Sequence, residues 1–360
     1  MKTNVKISLI LGLPISAIAL YLSFKNVPFS DFVIYLKSIN YFWIFPSVVI
    51  ILTSFALRTL RWRIILEPAC RLSFWQAFHP LIIGFMLNSI LPGRVGEVAR
   101  PIILQQRDNV PFSTGLATIA AERLLDVSML IILFICMLAF VHIDPVLDIS
   151  FGSYHLNRET LIVIVAGMFK LSLVIIAGVI IISIAATRRL VARLIMWIPA
   201  IFFSAGIDFK NRIREKFCRP VVSFLESFAL GLALIKDPKK VVVCIGLSIA
   251  IWGLACLSFY VIALGCPGIL LSYFEIMMVM IIICLFIALP SVPGFWGLWE
   301  AGGVFALSIF GIPANQGVGF TIVNHVVQII PVIIIGVISA VITGVNIWKL
   351  SDNKNSASQI

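Results

Sequence analysis

Apolar runs long enough to cross a lipid bilayer recur from one end of this chain to the other, and they decide its solvent. A helical span needs about 20 predominantly apolar residues. Ile7–Phe24, Tyr41–Leu57, Leu124–Val141, Leu161–Ala186, Val241–Leu264 and Val318–Trp348 supply six candidates. Only 12% of the residues are charged, against about 25% in soluble domains, so a water-soluble fold would have nothing with which to cover its surface. The fold class is therefore all-α: a polytopic membrane protein forming one integral domain over residues 1–360. The tripeptide Ala17-Ile18-Ala19 has the small-residue pattern of a signal-peptide cleavage site. The apolar run continues through it to Phe24, which predicts an uncleaved first helix.

Two further pairs of apolar stretches are too short to span. Pro80–Leu91 ends at Leu91-Pro92-Gly93 and is followed by Val95–Leu104; Phe274–Leu289 ends at Pro290-Ser291-Val292-Pro293-Gly294 and is followed by Trp296–Phe310. Proline removes a helical N–H and clashes with the preceding turn, and glycine admits the sharp reversal. These pairs predict two re-entrant helical hairpins, at residues 78–105 and 274–310. Their tips are alike. Leu91-Pro92-Gly93-Arg94-Val95-Gly96-Glu97 is echoed by Val292-Pro293-Gly294-Phe295-Trp296-Gly297-Leu298-Trp299-Glu300, each with Pro-Gly, a second glycine three residues on, then a glutamate.

The net charge of +11 sits between apolar runs, where positive-inside topology places it, so it argues for membrane orientation and not for nucleic acid. With the amino terminus in the cytoplasm and both hairpins returning to the side they left, 22 of the 27 lysines and arginines are cytoplasmic. Lys25, Lys37 and Arg158 are outside, and Arg123 and Lys170 lie within spans. The carboxyl terminus, residues 349–360, is then cytoplasmic, as is the basic segment Thr187–Lys240. Its arginines and lysines alternate with Trp197, Ile201, Phe217 and Phe224, the pattern of an interfacial amphipathic helix. Under this topology one hairpin opens from each side, the inverted arrangement of transporters. In a cysteine-free background, Ser153→Cys is expected to react with an impermeant thiol reagent in sealed cells. Reaction of Lys239→Cys under the same conditions would overturn the orientation.

Charge within a membrane is costly and marks candidate sites. The first cluster is Asn88, Arg94, Glu97 and Arg100. Glu97 and Arg100 are spaced i, i+3 on one face. Gly93 and Gly96 let backbone amides approach a ligand, and an arginine near a helix start suits a phosphate. The second is Glu122, Arg123 and Asp126, with the two carboxylates at i, i+4. The third is Glu300, just past the second Pro-Gly break, with Asn324 and His325 in the last span; Glu300 is either neutral or paired, with His325 as a partner. Pro92, Pro293, Gly294 and Gly297 are hinge positions beside Gly93 and Gly96. The seven cysteines contain no C-x-x-C pair and the histidines no metal-ligand spacing, so no metal and no cofactor is expected.

These residues resemble a known family. Arg58-x-x-Arg61-Trp62, Asn88-x-x-x-Pro92-Gly93-Arg94-x-Gly96-Glu97-x-x-Arg100, Glu122-Arg123-x-x-Asp126 and Pro293-Gly294-x-x-Gly297-x-x-Glu300 look like the flippase-like transmembrane domain of lysylphosphatidylglycerol synthases, over nearly the whole chain. Phe295-Trp296 and Asn324-His325 depart from that family's usual residues. No aminoacyltransferase domain accompanies the match. The resemblance implies a lipid translocase in the cytoplasmic membrane. Its partners would be membrane lipids: an anionic or aminoacylated phospholipid or a lipid-linked sugar. A homo-oligomer or a lipid-modifying enzyme is the expected protein partner. Without an ATP-binding motif, transport would be downhill, ion-coupled or partner-driven. The rivals are a membrane-embedded glycosyltransferase, for which no D-x-D motif is present, and an accessory subunit of a lipid-modifying enzyme.

Overall fold

Helices follow one another along the chain, and side-chain packing turns them into a bundle. The computed structural model describes residues 2–25, 27–92, 94–140, 149–151, 154–156, 167, 170, 173, 177–178, 184–201, 206–231, 237–289 and 292–345. The expected span Leu161–Ala186, most of the segment Asp144–Glu159 expected outside the cell, Gly93, Pro290-Ser291 and the tail beyond residue 345 lie wholly or largely outside them. The helices are α1 (Lys2–Phe24), α2 (Phe29–Ser38), α3 (Ile44–Leu66, entered through a 3-10 turn at Tyr41–Trp43), α4 (Phe74–Ile90), α5 (Val95–Asp108), α6 (Phe112–Phe140), α7 (Ala185–Ile201), α8 (Ile207–Ile213), α9 (Arg219–Gly231), α10 (Pro238–Leu264), α11 (Tyr273–Phe286), α12 (Leu298–Ser308) and α13 (Ala314–Thr343). A two-stranded antiparallel hairpin, Ile149–Phe151 with Tyr154–Leu156, is a small addition that the sequence did not suggest.

Among the described residues three helices are long and apolar enough to cross a membrane: Tyr41–Leu66, Pro238–Leu264 and Ala314–Thr343. With the family match reported below, they make this a multi-pass membrane protein. Gly12–Phe24 and Phe29–Ser38 together pass the same test, bent by 78° at Lys25–Pro28; α2 has no counterpart among the expected elements. Lipid-facing surface is visible on α13, where Ile330, Ile334, Val337, Ile338, Val341 and Ile342 are exposed while Asn324, His325 and Ser339 are buried. That is the reverse of a soluble helix.

Antiparallel α3 and α10 form the spine. Asn40 N–H donates to Gly265 O (2.9 Å), Ser47 Oγ to Ser258 O (3.1 Å) and Arg61 Nη1 to Ser248 Oγ (2.8 Å). At the far end Lys240 Nζ reaches Glu67 (2.9 Å), a contact that holds the Glu67 carboxyl below its ordinary range. Helix α11 is buried all round from Ile276 to Ile283, which is the signature of a helix in the middle of a bundle. Its 14 residues rise only about 21 Å, less than the roughly 30 Å of a hydrocarbon layer. On α7, Leu190, Leu194, Trp197 and Ile201 form one exposed apolar stripe beside Arg189 and Arg193, as an interfacial helix requires.

The helix ends differ from the hydropathy boundaries in instructive ways. The second apolar run stops at Leu57, which leaves Arg58 and Arg61 in a loop. Instead α3 continues to Leu66 with Arg61 fully buried, because partners on other helices neutralise it. Likewise α6 starts at Phe112, twelve residues before the apolar run, and the last helix ends at Thr343, with Gly344 (φ 64°) as its left-handed cap. The repeat also extends further than the Pro-Gly tips. Helix α4 opens on a capping box of Ser73 and Gln76, and α11 on one of Ser272 and Glu275.

Candidate functional site

The bundle brings charges from three helices, and polar and aromatic partners from a fourth, to one place. Near its end α3 presents Arg58, Arg61 and Trp62. Helix α5 contributes Glu97 and Arg100, α6 contributes Glu122, Arg123 and Asp126, and α10 contributes Ser248 and Trp252. Glu122 is the hub and is fully buried. It accepts from Arg100 Nη2 at 2.7 Å and Arg123 Nη2 at 3.0 Å, and Arg61 Nη2 stands 3.7 Å away. Asp126 pairs with Arg61 at 2.8 Å, Arg123 at 3.1 Å and Arg58 at 3.9 Å. The Arg100 guanidinium lies 4.0 Å over the Trp62 ring, whose indole N–H donates to Thr118 Oγ1 at 3.1 Å. Arg58 sits between the rings of Phe85 and Trp252, 5.7 and 5.9 Å from their centroids.

Four guanidiniums thus meet three carboxylates, leaving one positive charge in surplus. Arg61, Arg100, Glu122 and Asp126 are buried, whereas Arg123 is 32% and Glu97 27% exposed, their side chains 3.9 Å apart. Glu97 and Arg100, spaced i, i+3, form no ion pair with each other among the described contacts. Helix α5 turns Arg100 inward to Glu122 and leaves Glu97 at the margin with Arg123. Arg58 and Arg61, absent from the expected site, are integral to the cluster. The available signal was two arginines at i, i+3 bordering an apolar run.

The first hairpin tip flanks this margin. Pro92 is buried, Arg94 is exposed and takes a left-handed conformation (φ 54°), and its Nη2 donates to Ile287 O of the second hairpin at 3.4 Å. The Gly96 N–H, expected to be open to a ligand, donates to Asn88 Oδ1 at 2.8 Å. Gly96 serves the α4–α5 crossing: a Cβ there would stand 1.8 Å from Gly84 O.

The second tip repeats this design. Phe295, at the position matching Arg94, is also left-handed (φ 62°), and the Gly297 N–H is likewise held by a side chain, Glu300 Oε2 at 2.6 Å. The other oxygen, Glu300 Oε1, is 2.5 Å from His325 Nδ1, and His325 Nε2 is 2.7 Å from Gly294 O. Both side chains are fully buried. The imidazole stacks on Trp299 (4.5 Å, 2°) and lies 4.4 Å from Trp296. The two tips touch, since Ser89 O is 3.1 Å from where a Cβ on Gly294 would be. Among the described residues no hydrogen bond or ion pair joins Glu300 and His325 to the arginine cluster, so the expected residues divide into two neighbouring centres.

Comparison with known proteins gives the same extent. The chain matches the family described as "Lysylphosphatidylglycerol synthase TM region" over residues 9–336. A UPF0104 membrane protein of Methanothermobacter thermautotrophicus is 29% identical over 300 residues, 79% of each chain. A UPF0104 membrane protein of Pyrococcus horikoshii is 23% identical over 303 residues, 82% of this chain and 86% of that one. Glycosyltransferase AglD of Haloferax volcanii is 27% identical over 122 residues, 34% of this chain and 20% of its own. No solved structure matches.

Proposed function

We propose that this chain, which belongs to the lysylphosphatidylglycerol synthase TM-region family, is a lipid translocase of the cytoplasmic membrane with both termini inside. A phospholipid or lipid-linked glycan precursor brings its polar headgroup to the margin of the arginine cluster while its acyl chains stay in the bilayer. The observation that carries this reading is the partly exposed edge of an otherwise largely buried, net-positive cluster: Arg123 and Glu97, with exposed Arg94 on the adjoining tip. A headgroup phosphodiester supplies the negative charge that balances the surplus guanidinium, and planar guanidiniums bind it with two parallel hydrogen bonds. Glu97 suits a cationic or sugar portion of the headgroup. Supporting the reading, the four short helices α4, α5, α11 and α12 fall into two pairs with matching tips, which contact each other through Ser89 and Gly294 and through Arg94 and Ile287. We read them as re-entrant elements of an inverted repeat, and α7 to α9 as a cytoplasmic interfacial segment of the single domain.

The partial likeness to a glycosyltransferase favours a second reading, in which the chain modifies a lipid carrier. Reconstitution with headgroup-labelled anionic phospholipid separates the two: movement between leaflets with the lipid chemically unchanged supports translocation, and a new lipid product supports the enzyme. Arg94→Gly removes the side chain while suiting the left-handed backbone, so insertion and folding should survive. Loss of a charge-assisted contact to the phosphate, about 1.5–3 kcal/mol, predicts a fall in flux of roughly 10- to 100-fold. Arg94→Lys should recover only part of it, because an ammonium lacks the planar fork. Undiminished flux in Arg94→Gly rules out the phosphate contact.

A further inference from the structure

The second centre has a chemistry of its own. His325 Nε2 faces the Gly294 carbonyl, which only accepts, so Nε2 carries a hydrogen and donates it. Nδ1 then faces Glu300 Oε1 at 2.5 Å, a separation that requires a proton between the two atoms. Either Nδ1–H donates to a carboxylate or the carboxylic acid donates to Nδ1. Both arrangements have one proton in the contact and no net charge. Without that proton a carboxylate would face an imidazole lone pair in a fully buried site, with the Gly297 N–H on its other oxygen as its one remaining partner among the described contacts. The two indoles around His325 accommodate the charge when the proton rests on the imidazole.

We infer that Glu300 and His325 form a proton-binding site whose occupancy locks the second hairpin tip, so that a proton is a co-substrate of this protein. Binding is balanced simply: the empty site, Glu300 carboxylate with neutral His325, carries −1; it takes one proton and becomes neutral. The proton-loaded pair clamps the Gly294 carbonyl through Nε2–H and the Gly297 N–H through Glu300 Oε2, fixing both ends of the left-handed Gly294–Phe295 turn. Loss of the proton drives His325 away from Glu300 and releases Gly294. That residue abuts Ser89 of the first hairpin, and Arg94 of the first hairpin donates to Ile287 O of the second. A change at the proton site is therefore felt at the tip that borders the arginine cluster.

Charged and titratable groups on the surrounding elements are engaged elsewhere: on α3, Arg58 and Arg61 pair with Asp126, and on α2, Tyr35 donates to Pro267 O while Asp31 and Lys37 are exposed. His325 is the one titratable residue of α13 and Glu300 of α12. On α4 the single titratable residue, His79, stacks on Trp75 in the first turns. On α11 Glu275 is used in the capping box at the opposite end, and among the described contacts neither Tyr273, which donates to Gly253 O, nor Cys284 bonds to the pair. On α10, from which Phe259 stacks on Trp299, Lys239 and Lys240 lie at the far end and Cys256 is hydrogen-bonded to Tyr273 O. From α1, Ser16 accepts from Val292 N–H.

Two measurements on the full chain test this. The first is independent of transport. Tryptophan emission is titrated against pH, since Trp296 and Trp299 lie against His325 and respond to its charge and position. Measured in a Trp75→Phe background, which removes the indole stacked on His79, the otherwise wild-type chain is expected to show a reversible step that is lost in both Glu300→Gln and His325→Gln, with helical content checked in each variant. A wild type without the step, or variants that keep it, overturns the proton site. The second rests on the translocase reading. In proteoliposomes carrying headgroup-labelled anionic phospholipid, a gradient of one pH unit is expected to change wild-type flux by up to about tenfold, the factor one proton transmits. In Glu300→Gln the ratio of flux with and without the gradient should be one, whatever flux remains. A wild-type ratio of one refutes coupling, whereas absence of any lipid movement refutes the translocase reading and leaves the emission titration to decide the proton site.

Discussion

Glu122→Ala is expected to be the most damaging single carboxylate substitution, costing about 3–5 kcal/mol, because it leaves buried arginines without their shared partner. Glu122 is fully buried and engages Arg100, Arg123 and Arg61. With the carboxylate gone, Asp126 and Glu97 must answer for four guanidiniums, and Arg100 keeps only the face of Trp62. Glu122→Gln should be nearly as harmful, since its NH2 presents donors to donors. The diagnostic variant is the double substitution Arg100→Met with Glu122→Gln. Removing both members of a buried pair is far cheaper than removing one, so the double variant should melt above Glu122→Gln alone. Thermal unfolding in detergent, followed by loss of monodispersity, reads the order. A Glu122→Ala protein melting with the wild type would show that the cluster contributes nothing to the fold.

The second large effect is expected from one methyl group. In Gly96→Ala the new Cβ would sit 1.8 Å from Gly84 O, 2.6 Å from Gly84 C and 2.7 Å from Asn88 Oδ1. The obstruction is backbone, which no side-chain rotation clears, so α4 and α5 must separate. Overpacking of this kind costs about 1–3 kcal/mol and sometimes more, and here it also breaks the Asn88 contact and withdraws Arg100 from Glu122. Both melting temperature and flux should fall. Gly246→Ala is the control, because its Cβ meets nothing within 4 Å and alanine is the better helix former by up to about 1 kcal/mol. If Gly96→Ala behaves like Gly246→Ala, the close crossing is not what holds the hairpin.

Some of this was legible before any coordinates. The Pro-Gly breaks and the Ser-x-x-Gln and Ser-x-x-Glu starts are local chemistry, written at the residues that execute it; the second pair is easily overlooked because each member looks like an ordinary helix start. The spacing of Glu97 and Arg100 did not tell which partner each would take. Spacing of i, i+3 says that two side chains lie within reach on an isolated helix, but α5 is not isolated, and Glu122 and Trp62 draw Arg100 inward. Arg61 was misplaced because hydropathy treats an arginine as a boundary. Its partners are Glu122, Asp126 and Ser248, the last 187 residues away, and only their presence lets α3 continue past it.

By itself the sequence determined the solvent, the helical class, the places where helices break and the residues whose charge demands an explanation, because transfer to lipid and helix breaking act residue by residue along the chain. The tertiary structure alone decided which of the other charges neutralise one another, that Arg58 and Arg61 belong with Glu122 and Asp126, that the expected Glu300–His325 partnership also holds the Gly294 carbonyl, and that glycines at 84 and 96 let two helices touch. Those outcomes depend on which faces of distant helices are turned toward each other, and in a low-dielectric interior a buried charge is stabilised by whatever partner the packing delivers within a few ångströms.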